Sequence, residues 1–311
     1  MEGGAMSTAT RNRGGWSDSS SAYLGEVKAV AEALREYWPV TLRQVYYRLV
    51  AGGMIENDRT AYQKLSRVLT KARLDGLFPW EAIEDRTRSV LSSGGWPDAR
   101  AFIADETEDY LAGYRRDCLQ SQDVALEVWI EKDALSRVCH RAAEPYGVPV
   151  VVARGFSSVS YLHEARKRIE GNAEHDQQTI ILYFGDLDPS GWEMLPAMLK
   201  TLQEEMDLGE RVEGVRCALT LEQVSMYDLP RNPDALKDTD PRARKYRERF
   251  GDLAVELDAL LPATLEGLVK SAIEGHLNMD WFRIEIDREH DEREQIFTLQ
   301  ERVRQLVKGT S

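Results

Sequence analysis

The chain has 311 residues, enough for one large domain or two ordinary ones, and its 42% hydrophobic content suffices for a buried core. No run approaches the roughly 20 apolar residues of a membrane helix, and the three cysteines, Cys118, Cys139 and Cys217, fit neither a zinc site nor a disulfide framework. The net charge of −13 argues against a general nucleic-acid coat, yet it is uneven: between Arg35 and Arg88 ten basic residues stand against seven acidic ones, a balance of +3 that leaves −16 for the rest. The expected setting is a reduced cytoplasmic compartment without membrane contact.

In chain order, residues 1–22 are rich in Gly, Ser and Thr and have no apolar signal core, so they read as a disordered tail. A first helix follows, with Leu24, Val27, Val30, Ala31 and Leu34 at helical period and Pro39 ending it. The second, in "VTLRQVYYRLVAGG", has Thr41 as N-cap, Leu42, Val45, Tyr46 and Leu49 on one face, and Gly52-Gly53 as its stop. A third begins near Asp58 or Thr60, with Ala61, Leu65, Val68, Leu69 and Ala72 facing inward. Lys64, Arg67 and Lys71 fall on its opposite face, flanked by Arg59 and Arg73. Three helices with a basic third one suggest a helix-turn-helix, and "LFPWEAIEDRTRSV" offers a wing. The basic face is either a solvated surface or a set of phosphate contacts that are salt-dependent and largely sequence-blind. Tyr47 lies about 100° around the second helix from Tyr46, which predicts a solvent-facing phenol near Arg43. An exposed tyrosine is usually inert; as a nucleophile, its pKa near about 10 demands a base or cation such as Arg43.

From Val124 the pattern turns to alternating strands and helices. "VALEVWI", "VPVVVAR", "TIILYFGDLD" and "VRCALTL" read as strands. The helices between the first three are "KDALSRVCHRAAEPYG" and "SVSYLHEARKRIEG". Continuous apolar strands of this kind belong to a parallel sheet covered on both faces, whose functional groups gather beyond the carboxyl ends of the strands. Glu131 ends the first strand, and Asp186 and Asp188 end the third, so three carboxylates are expected on one rim. A hard cation offsets their repulsion, and Mg²⁺ fits because it uses few carboxylates and keeps waters and phosphate oxygens. The plainer reading is a pair of solvated loop aspartates with Glu131 capping a helix, and D-x-D also serves some phosphatases and sugar transferases.

Taken together, "IEKDAL", "GFSSVS" and "FGDLDPSG", preceded by "TLRQVYYRLV", resemble the DNA topoisomerase VI A subunit and Spo11 family over roughly residues 24–268. The resemblance implies an α/β protein with an N-terminal winged-helix (helix-turn-helix) domain, followed by a Toprim domain with a Rossmann-like parallel sheet. The implied divisions are a winged helix at 23–95, a linker at 96–119, a Toprim core at 120–235, and an extension with a C-terminal helix at 236–311. It assigns Tyr47 as nucleophile, Arg43 as supporting arginine, and Glu131, Asp186 and Asp188 as the Mg²⁺ site, with Glu131 also catalytic. Arg154, before Gly155, joins Arg59, Lys64, Arg67, Lys71 and Arg73 as a candidate DNA contact.

The implied activity is Mg²⁺-dependent cleavage of double-stranded DNA by tyrosine transesterification, leaving a 5′-phosphotyrosyl link, in a homodimer associated with the nucleoid. The chain is shorter than a usual A subunit and carries no evident ATPase motif, so a separate ATPase subunit, GHKL-type or SMC-like, is an expected partner. A hydrolytic Toprim nuclease of a plasmid- or phage-defence system, with Tyr47 not the nucleophile, is the second reading. A non-catalytic DNA-binding module is the third. The charged tail from Asp287 reads as a surface helix or a partner contact.

Overall fold

The computed structural model describes residues 15–83, 95–153, 159–236 and 240–309. The chain divides into two compact units, Met1–Asp85 and Arg86–Ser311.

The first unit is a packed set of three helices, α1 (Asp18–Ala33), α2 (Leu42–Ala51) and α3 (Arg59–Leu74). Each starts on a side-chain cap: Ser17 for α1, Thr41 for α2 and Asp58 for α3, and Thr41 forms a reciprocal capping box with Gln44. Gly53, at a φ of 66°, turns the chain after α2. Leu24, Val27, Val45, Leu49, Leu65, Leu69 and Ala72 form the core, as their spacing predicts. An isolated parallel bridge joins Val40 to Ile83, and the second half of the expected wing, residues 84–90, lies outside the described residues. Tyr47 departs from expectation. It is 3% exposed, not solvent-facing, and its ring meets that of Tyr46 edge-on at 5.2 Å. The reason is that α2 packs against both α1 and α3, so a 100° turn away from one buried face enters another.

The second unit opens with α4 (Ala99–Asp109), inside the stretch expected to be a linker. A four-stranded parallel sheet follows: β1 (Val124–Ile130), β2 (Val150–Val152), β3 (Gln178–Phe184) and β4 (Val212–Ala218), in the order β2-β1-β3-β4. The connections carry α5 (Ser136–Ala143), α6 (Val159–Ala173) and α7 (Pro189–Lys200). The central strands β1 and β3 read as largely apolar runs because both faces are covered. Trp129, Ile181 and Tyr183 pack with Leu162 and Ile169 of α6 and Met194 and Met198 of α7. After β4 come α8 (Leu221–Met226), α9 (Ala243–Phe250), α10 (Pro262–Glu274) and α11 (Met279–Gly309). Helices α5 and α10 pack on each other and against the sheet.

Two polar anchors hold this unit together. Glu127, buried within β1, accepts Arg168 Nε and Nη2 at 2.7 and 2.9 Å and Trp129 Nε1 at 2.8 Å. Arg116 chelates α11, donating to Glu285 at 2.6 Å and Glu292 at 2.7 Å. Val255 forms a single antiparallel bridge with Leu187, closed by hydrogen bonds of 2.9 and 3.0 Å. No described helix is long and apolar enough to cross a membrane.

Candidate active site at the sheet edge

The β1–β3 register sets Ile130 beside Phe184, so the residues after each strand end meet at one edge. Glu131 continues the ladder, donating its backbone N–H to Phe184 O at 2.9 Å. Its Oε2 accepts the Asp186 N–H at 3.0 Å and faces the Tyr183 hydroxyl at 3.4 Å. Asp188 caps α7 by accepting the Gly191 N–H at 2.7 Å. Gly191 is required here: a Cβ would sit 2.5 Å from Asp186 O and 3.0 Å from Glu131 Oε2.

Asp186 points the other way. Only 5% exposed, it accepts the Leu257 N–H on Oδ1 at 2.7 Å and faces Lys132 Nζ through Oδ2 at 3.0 Å. Lys132 Nζ also lies 2.8 Å from Glu256 and 2.9 Å from Asp258. Burial alone would lower the Lys132 ammonium, but Asp186, Asp258 and Glu256 together hold it well above the usual lysine value. One ammonium cannot balance three carboxylates. Burial first, then the Glu131 and Asp188 charges, push Asp186 up to about 7, against the pull of Lys132. Glu131 is also raised, chiefly by burial and then by Asp188, while the Asp186 N–H opposes the shift.

The three expected acids therefore share one edge but do not close as a three-carboxylate cage. Among the described residues, no group of three or more His, Cys, Asp or Glu is arranged to hold a metal ion. What faces outward is a pair. Glu131 and Asp188 are partly exposed, and Glu131 Oε1 and Asp188 Oδ2 accept no hydrogen bond from a described residue. Five carboxyl groups (Glu131, Asp186, Asp188, Glu256, Asp258) stand against Lys132 and Arg216, with Arg242, already paired to Asp240, also acting on Asp188. Two open oxygens beside a surplus of negative charge fit a cation that keeps most of its own water, with Asp186 behind it as a support.

Sequence reasoning missed four residues that build this edge. Lys132 lies inside "IEKDAL" but shows its role only through Glu256 and Asp258, which carry no local signal. Arg216 was detectable as the one charge in the expected strand "VRCALTL". Its guanidinium donates to the carbonyls of Asp186, at 3.3 Å, and Gly191, and burial lowers its pKa.

The other expected site residues divide. Arg59, Lys64 and Arg67 are exposed on α3. Lys64 Nζ lies 4.6 Å over the Tyr23 ring and Lys71 Nζ 4.5 Å over the Trp16 ring. Arg73 is used internally, donating to the carbonyls of Trp80, at 3.0 Å, and Ile83, so it closes the fold of the first unit. Arg43 is exposed on α2. Arg154 lies outside the described residues. Cys118, Cys139 and Cys217 are all free thiols, and burial pushes Cys139 up to about 12, far from a reactive thiolate. No family model, curated protein or solved structure matches the chain.

Proposed function

We propose that the chain is a Mg²⁺-dependent enzyme that cleaves the phosphodiester backbone of DNA, with a Toprim-like second unit and a winged-helix-like first unit, in the manner of the topoisomerase VI A subunit and Spo11 group. The observation that carries this reading is the outward pair of carboxylate oxygens on Glu131 and Asp188, at the carboxyl edge of a parallel sheet and inside a surplus of negative charge. Mg²⁺ held there by Glu131 and Asp188 supplies charge stabilisation to phosphoryl oxygens. Asp186 and Lys132 fix the loop that carries Asp188, and the Asp186 N–H orients Glu131. A non-catalytic module gives no reason to gather unbalanced carboxylates at this cost.

Between the two chemistries, the burial of Tyr47 favours hydrolysis. Transesterification requires its phenol to reach a phosphate, and at 3% exposure it sits in the core of the first unit. A homodimer, an ATPase partner and DNA contact through Arg59, Lys64 and Arg67 belong to the same proposal. The test is a plasmid-cleavage assay with Mg²⁺. Asp188→Asn and Glu131→Gln are expected to lose cleavage by about 100-fold or more, and Tyr47→Phe to retain it. A protein–DNA adduct that vanishes in Tyr47→Phe would restore the transesterase reading, and full cleavage by Asp188→Asn would end both.

A further inference from the structure

The second unit is acidic overall, yet α9 is not. From Asp240 to Asp252 five basic residues (Arg242, Arg244, Lys245, Arg247, Arg249) stand against three acidic ones, a balance of +2. This helix lies beside the acidic edge. Arg242 Nη1 is 3.5 Å from the Ser190 hydroxyl, two residues past Asp188, and Lys245 is 3.3 Å from Glu193.

Most of these cations are already matched. Arg242 makes two 2.9 Å bonds to Asp240, Arg244 lies 3.5 Å from Glu248, and Arg247 lies 3.0 Å from Asp252. Arg249 differs. Its guanidinium lies 4.8 Å over the Trp192 ring and 5.3 Å from the Phe250 centroid, and Trp192 meets Phe250 edge-on at 4.6 Å. Arg216 also lies against Trp192, 4.9 Å from its ring centroid. Arg249 is exposed and has no carboxylate partner among the described residues. Stacking fixes the plane of a guanidinium without consuming its N–H donors, which remain available in the fork geometry that suits a phosphate. Trp192 stands one helical turn after Asp188 and donates its backbone N–H to Asp188 O at 2.9 Å, so Arg249 stacks on the residue that closes the first turn behind that carboxylate.

We propose that Arg249, on its Trp192–Phe250 shelf, binds a backbone phosphate of the DNA strand delivered to the Glu131–Asp188 edge. The inference rests on the phosphodiester reading of that edge. It also gives an acidic unit a way to receive a polyanion, with a positive contact beside the cation rather than a general basic surface.

The experiment is fluorescence anisotropy of the full chain with a duplex of about 25 base pairs in EDTA, titrated with salt. Arg249→Gln is expected to weaken binding about 3- to 10-fold and to flatten the log K against log salt slope by about one. Arg249→Lys should keep the slope while losing part of the affinity, which separates charge from misfolding. If Arg249→Gln matches wild type in affinity and slope while wild type still cleaves, this inference falls alone. If Arg249→Gln weakens binding but wild type cleaves nothing with Mg²⁺, the inference stands and the cleavage reading falls. If wild type does not bind the duplex, both fall.

Discussion

The backbone N–H of Leu257 donates to Asp186 Oδ1 at 2.7 Å, across 71 residues of sequence. With Lys132 on the other oxygen, this bond turns the first aspartate of the D-x-D pair inward and leaves the second facing out. The pair is thus asymmetric, with one carboxylate ordering the loop and the other available to ligand.

The first prediction concerns pH. Asp186 binds its proton near 7 when folded and near the ordinary 3.8 when unfolded. Between those values the folded state holds more protons, so this group's contribution to stability falls as pH rises through the window. In Asp186→Asn that contribution disappears. Thermal melts at about pH 5 and about pH 8 should show a smaller pH-dependent drop for the variant than for wild type. Identical drops would remove the assignment.

Metal binding should register as stability without any assay of activity. A cation that binds only the folded chain adds about 2.7 kcal/mol at 100 times its Kd. Mg²⁺ is therefore expected to raise the Tm of wild type, EDTA to reverse it, and the Glu131→Gln/Asp188→Asn double variant to show neither shift. A full shift in the double variant would place the ion elsewhere.

Two glycines offer an opposed pair. Gly191→Ala drives a methyl against Asp186 O and Glu131 Oε2 and should cost about 1–3 kcal/mol in urea unfolding. Gly267 is exposed within α10, and a methyl group there would meet nothing within 4 Å, so Gly267→Ala should stabilise by about 0.5–1 kcal/mol. Equal effects would mean that the loop around Gly191 yields to the methyl and that its close approach is not a constraint.

The Arg168–Glu127 pair should matter far more than its neighbours on α6. Arg168→Ala leaves the buried Glu127 carboxylate with only the Trp129 indole N–H, at 2.8 Å, of the three side-chain donors that hold it, an expected loss of about 2–3 kcal/mol. Arg166 pairs with Glu170 at the surface, both side chains more than a third exposed, and should change stability by less than about 0.5 kcal/mol when replaced by Ala. Chemical denaturation of both variants measures the contrast.

The central strands were legible because a strand buried on both faces is a largely apolar run, and "VALEVWI", interrupted only by Glu127, matches β1 residue for residue, whereas "VRCALTL" overlaps β4 only at residues 215–218. Glu131, Asp186 and Asp188 were legible for the same reason, since they stand where those runs stop. Tyr47 misled because helical periodicity identifies one buried face and is silent when a second element covers the flank. Lys132 could not be read at all: its meaning lies in Glu256 and Asp258, more than 120 residues away. Arg249 failed differently, because a charge run looks the same whether its members are matched by carboxylates or stacked on indole.

The Leu187–Val255 bridge has a consequence for biosynthesis. The ribosome releases β1 to β3 long before residues 255–258, so a nascent chain can assemble the sheet while Asp186 still lacks its amide and two of the acids around Lys132. Competence at this edge is thus a late event in translation, and a fragment ended at residue 235 would lack both the Leu257 amide on Asp186 and α10, which packs on α5 and β4.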